Sequence, residues 1–219
     1  MKFIRLVAWG LIAAIVVFVA VRVLTGGPDG AAPSSAPSSS SSSSQAADAV
    51  PGTLPGGPFV LTSHTGAIVS DSDFRGRYML VYFGYSACPD VCPLELQKMT
   101  AALLDLEAEG LDTTPLQPLF ISFDPERDTP QELAGFVPQF HPRLIGLTGT
   151  VEAVTKAAKA YKIYFRKLES AGAAGYLMDH SSVVFLMGPD GGYRAIFTSR
   201  DTPQTMAESL RPLLKATAP

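Results

Sequence analysis

The sequence has little cysteine, little histidine and no run of basic charge, and each shortage narrows what it can be. Among 219 residues there are only two cysteines and three histidines. Two thiolates are too few for a structural zinc, which is nearly always held by four ligands. Lys and Arg are scattered and the formal net charge is only -3, so a partner with a phosphate backbone finds no support and no nucleic acid is expected. No internal repeat is present, and the length suits one folded domain with residues to spare.

The spare residues lie at the N-terminal end. From Leu6 to Val21 nothing is charged, and Val23 and Leu24 extend the apolar run past Arg22. At about 1.5 Å per residue this nearly crosses a hydrocarbon core of roughly 30 Å, so residues 1–25 are expected to form one transmembrane anchor. A cleaved signal peptide is the alternative, since Lys2 and Arg5 make a positive leader, but the run is long and no small-x-small site closely follows it. Lys2 and Arg5 outweigh Arg22, which predicts a cytoplasmic N-terminus in an inner membrane and a C-terminal domain in the periplasm or an equivalent space. Residues 26–57 are almost wholly Gly, Pro, Ala and Ser, with unbroken serine from Ser38 to Ser44, and are expected to be a disordered linker.

Residues 58–219 have the pattern of an α/β domain. Phe59–Leu61 and Ala67–Val69 predict a small hairpin, and Tyr78–Phe83 a central strand covered on both faces. Cys92, Leu96, Met99, Leu103 and Leu106 recur every three or four residues, giving a helix with one apolar stripe that Gly110 ends. Leu116–Phe123 predicts a parallel strand. Thr129, Pro130 and Glu132 then cap a helix running to about Phe140. Leu144–Leu147 predicts a strand, and Thr150 caps a helix burying Val151, Val154, Ala158 and Tyr161. After a less regular stretch, Val183–Met187 and Tyr193–Phe197 flank the turn Gly188–Gly192, and Thr202–Pro203 opens a last helix. The order is that of a thioredoxin-like fold with an N-terminal hairpin and an inserted strand and helix.

The two cysteines sit together in Ser86-Ala87-Cys88-Pro89-Asp90-Val91-Cys92-Pro93, between the central strand and the first helix. A helix N-terminus favours thiolate, the form that attacks disulfides and binds metals. Three intervening residues leave a gap of about 5–6 Å between Cβ atoms in a regular helix, wider than the roughly 3.8 Å of a disulfide. A soft ion of low coordination fits that gap, and copper in its +1 state takes two thiolates and one imidazole. A stabilising disulfide, or a redox pair of Cys88 and Cys92, remains the alternative. His180 is the best placed imidazole, because Met178-Asp179-His180-Ser181-Ser182 precedes the terminal hairpin, where the fold faces its cysteine loop and where this chain has no proline. His64 and His141 are expected in surface turns without a role. Asp90 and Asp179 are candidates for orienting His180, Met178 for packing, and Asp124, Arg127 and Asp128 for an ion-pair network near the site.

Three motifs in order carry a resemblance. Tyr82–Pro93, Phe123–Pro130 and Asp179–Ser181 are similar to the signature motifs of the Sco/SenC family of cytochrome c oxidase assembly proteins. The resemblance covers the whole folded part and the anchor. It implies a chaperone that carries a copper ion on Cys88, Cys92 and His180 to the dinuclear centre of a copper-receiving cytochrome c oxidase subunit. It also implies a thiol reductase role toward that subunit. A thiol-disulfide oxidoreductase or a copper and redox sensor are the alternatives; only copper binding needs His180.

Overall fold

The computed structural model describes residues 54–169 and 175–217. The anchor expected over residues 1–25 lies outside them, as does the linker up to residue 53. Among the described residues no helix is long and apolar enough to cross a membrane.

The chain forms β1 (Val60–Ser63), β2 (Ile68–Ser70), β3 (Tyr78–Gly84), α1 (Val91–Ala108), β4 (Leu116–Ser122), α2 (Pro130–Phe136), β5 (Ile145–Thr148) and α3 (Val151–Ala160). Then come β6 (Phe165–Glu169), β7 (Tyr176–His180), β8 (Val184–Met187), β9 (Tyr193–Phe197) and α4 (Pro203–Thr217). Among the described residues seven strands make one sheet in the order β2-β1-β5-β4-β3-β8-β9, while β6 and β7 pair only with each other. β3, β4 and β5 run parallel, and such pairs need long crossovers, which α1 and α2 supply. This is the thioredoxin-like core, with the hairpin and the inserted strand and helix that the sequence predicts.

β3 and β4 are buried along almost their whole length, which is why both read as continuous apolar runs. Cys92, Leu96, Met99, Leu103 and Leu106 are all buried, so the stripe on α1 faces the core. Gly110 takes φ 79° just past α1, the left-handed conformation that ends a helix without cost to a glycine. The Thr129 and Thr150 hydroxyls accept from the N–H groups of Glu132 and Ala153, capping α2 and α3. Gly56 already donates to the Ala160 carbonyl (3.0 Å), so backbone contact with the domain starts just before Pro58.

Three expectations change. α2 stops at Phe136 and continues as a 3-10 turn to Gln139, because Pro138 has no N–H and its ring would meet the Ala134 carbonyl in a regular helix. Val151 is 54% exposed in the first turn of α3, where it lies off the buried side carrying Val154 and Ala158. The stretch read as irregular is the β6–β7 hairpin.

Candidate metal centre

Cys88 and Cys92 flank the start of α1, and the loop that holds them leaves β3 at Gly84. A Cβ on Gly84 would lie 2.9 Å from the Cys92 Sγ and 2.9 Å from a Phe120 ring carbon, so the strand end must be glycine for the second sulfur to fit. The Cys92 N–H donates to the Cys88 Sγ at 3.4 Å, a free N–H of the helix N-terminus aimed at sulfur. No disulfide joins the two cysteines here. Cys88 is held far below the usual thiol range, at about 3, first because the Cys92 thiol donates to it, against burial, and then through His180 and the N–H groups of Asp90 and Cys92. Cys92 is pushed up by the same shared proton and by burial. One thiolate and one thiol thus share a proton.

His180 comes from elsewhere in the chain, at the end of β7. Its Nδ1 lies 2.9 Å from the Ser181 carbonyl, which can only accept, so Nδ1 carries the hydrogen and Nε2 is left to face the sulfurs. Nε2 is 3.6 Å from the Cys92 Sγ. Burial opposes charge on this imidazole, but the Cys88 sulfur and the Ser181 carbonyl outweigh it and hold His180 above its ordinary value. The ring is walled by Phe123, centroid 5.0 Å away, and by the edge of Tyr85 at 5.8 Å. Asp179, expected as its orienting group, points instead toward Arg166 at 3.6 Å. A main-chain oxygen does that work.

The three donor atoms lie within 4.8 Å of one another. Metal–thiolate bonds of about 2.3 Å in a trigonal plane put donors about 4 Å apart, so the cluster matches a three-coordinate soft ion with little movement. His64 and His141 are not part of it. The Nδ1 of His64 accepts from the Gly146 N–H (3.2 Å). His141 is buried rather than exposed: its Nδ1 accepts from the Arg143 N–H (3.1 Å), closing the turn under α1, and its Nε2 faces Glu107 at 3.7 Å.

The loop after β4 divides differently from the expected ion-pair network. Arg127 pairs with Asp124 at 2.6 Å. Asp128, fully buried, instead accepts from the Ser86 N–H (2.9 Å), the Ser86 hydroxyl and the Ser122 hydroxyl (2.5 Å), fastening the cysteine loop to the end of β4. Ser86, Tyr85 and Phe123 escape a reading of sequence alone, although all three fall inside the motifs quoted above.

A thioredoxin-like fold whose helix-start dithiol meets an imidazole from a separate hairpin defines a class of metal-binding thiol proteins. Within it the chain belongs to the SCO1/SenC family, whose model matches residues 48–215. It is 43% identical over 158 residues to the human mitochondrial SCO1 homolog, covering 72% of this chain and 52% of that one. It is 44% identical over 161 residues to protein SenC of Rhodobacter capsulatus, covering 74% and 71%. The chain thus spans only about half the length of the human relative. The crystal structure of Arabidopsis thaliana ScoI with copper bound superposes with a TM-score of 0.69 at 35% identity, over 74% of this chain and 98% of that one.

Proposed function

We propose that this chain is a copper chaperone, receiving one copper ion on Cys88, Cys92 and His180 and passing it to the dinuclear centre of a cytochrome c oxidase subunit during assembly. The observation that carries this is the convergence of two sulfurs and one imidazole nitrogen, brought from two distant segments, within 4.8 Å. Copper bound in the Arabidopsis relative supports the choice of ion. Cys88 is nearly buried and Cys92 fully so, which keeps the ion from water, while three donors leave room for an incoming thiolate to displace them in turn.

The apolar run of residues 1–25 would hold the chain in the inner membrane, and residues 26–57 would let the domain search for its acceptor at high local concentration in the periplasm or an equivalent space. A second reading, reduction of the acceptor's disulfide, is favoured by the depressed Cys88. In that step Cys88 attacks, one partner sulfur leaves as thiolate, and Cys92 then closes the Cys88–Cys92 disulfide and releases the partner as a dithiol.

The test is an anaerobic titration of the reduced full-length chain with copper in its +1 state against a competing chelator. Cys88→Ser or Cys92→Ser should abolish tight binding, and His180→Ala should weaken it while leaving the dithiol intact. Affinity unchanged in all three variants would remove the site.

A further inference from the structure

The segment Asp124–Pro125–Glu126–Arg127 supplies neither a sulfur nor an imidazole to the centre, yet it meets the hairpin that does. β6 and β7 hydrogen-bond to no other strand among the described residues, and an isolated two-stranded hairpin is only marginally stable in water. What fixes its position therefore fixes His180. At its base the Ser181 N–H donates to the Tyr164 carbonyl, 2.9 Å. Along its inner face Phe165 stacks on Phe123 with centroids 5.1 Å apart, and the Met178 N–H donates to the Tyr85 hydroxyl, 3.3 Å.

The remaining fasteners centre on Tyr176, directly across the register from Glu169 and four residues before the ligand. The Arg127 guanidinium lies 3.7 Å from the Tyr176 ring centroid and the Lys167 ammonium 3.8 Å. Arg127 Nη1 donates to the Tyr176 carbonyl at 3.0 Å, and the Tyr176 hydroxyl donates to Asp124 Oδ1 at 2.7 Å. Lys167 is in turn paired with Glu126 at 2.7 Å, and Arg127 with Asp124 at 2.6 Å. One aromatic ring is thus held by two cations, each anchored by a carboxylate of the same loop. Asp128 of that loop holds Ser86, two residues before Cys88.

We propose that Tyr176, clasped by Arg127 and Asp124, is a positioning residue that sets where His180 stands relative to the two sulfurs. This rests on the copper reading for its consequence, but the placement of the ring can be tested without metal. Groups hydrogen-bonded to a metal ligand commonly change metal affinity by about ten- to a hundredfold when removed, and Tyr176, acting through the hairpin rather than on the ring, is expected at the low end of that range.

The experiment uses the full-length chain in detergent with isotope-labelled histidine, so that only three imidazoles report, with His180→Ala identifying the ring of interest. In the reduced, metal-free protein Tyr176→Leu should move the His180 ring signals away from the positions imposed by Phe123 and Tyr85. Tyr176→Phe, which keeps the ring under both cations, should move them less. Affinity for copper in its +1 state should fall about tenfold in Tyr176→Leu, with no further fall when the same change is made in His180→Ala. Unmoved His180 signals in Tyr176→Leu, or an equal loss of affinity with and without the imidazole, would overturn the proposal. If the signals move but His180→Ala leaves copper binding unchanged, the clasp stands and the copper reading falls.

Discussion

Replacing Asp128 with Ala should loosen the cysteine loop and lower the stability of the whole domain. Asp128 accepts three hydrogen bonds, and two of the donors belong to Ser86, which is only half-buried, so water can reach them and no stranded-donor penalty is added to the loss of the bonds. Ser122 is fully buried, and a stranded hydroxyl there costs about 1–3 kcal/mol. Losing the two Ser86 bonds adds about 1 kcal/mol each, giving roughly 3–5 kcal/mol before the relief of no longer burying a carboxylate. A net loss of about 2–4 kcal/mol would lower the melting temperature of a domain of this size by roughly 5–15 °C. Asp128→Asn, which keeps a carbonyl acceptor, should lose less. The pH dependence separates the cause. Burial raises the Asp128 carboxyl above its ordinary value, against the pull of Ser122 and Ser86. The folded chain therefore binds this proton more readily than the unfolded one, and the contribution is full in acid and falls as pH rises through the raised value. The deficit of Asp128→Asn against the parent, measured by urea unfolding from below the carboxylate range to neutrality, should narrow as pH rises. A deficit that widens, or an Asp128→Ala midpoint equal to the parent's, would refute the reasoning.

Gly84→Ala should cost about 1–3 kcal/mol of stability by overpacking and weaken copper binding as well, because the new methyl meets the Cys92 sulfur and the Phe120 ring at 2.9 Å; chemical denaturation and the chelator competition read the two effects. Alkylation of Cys88 by iodoacetamide in the reduced, metal-free chain should proceed at a nearly constant rate from about pH 5 to 8, its thiolate being already formed. Cys92→Ala removes the donor that lowers Cys88 most and should restore a rate that falls in acid. A parent rate climbing about tenfold per pH unit would contradict the depressed thiol.

The elements that the sequence makes legible are those fixed locally or by burial. The α1 stripe, the Thr129 and Thr150 caps and the buried β3 and β4 all follow from periodicity and from hydroxyls at helix starts. The grouping of Cys88, Cys92 and His180 is legible through their placement, since the two cysteines open a helix and His180 precedes the terminal hairpin. The β6–β7 hairpin was not, because its two faces do not differ in polarity. Lys167 and His180 share the face of Phe165 and Met178, while Leu168 and Leu177 stand opposite each other on the partly exposed face with Arg166 and Asp179. Apolar and charged residues on both faces disturb the alternation by which a strand is recognised. The partner of the His180 ring was also hidden, for a main-chain carbonyl leaves no mark in the residue types. His141 misled for a related reason: a polar residue beside Pro142 reads as surface, but its Nδ1 satisfies the turn's own N–H and permits burial.

The chain enters and leaves the β6–β7 hairpin at one point, where Ser181 is hydrogen-bonded to Tyr164. A deletion joining those two positions by a short turn would therefore leave every strand of the seven-stranded sheet with its neighbours, and both thiols at the head of α1. What disappears is the imidazole, together with the cover over Phe123 and Tyr85. The imidazole of the candidate centre is in that sense carried on a cassette, inserted between α3 and β8 of a dithiol scaffold.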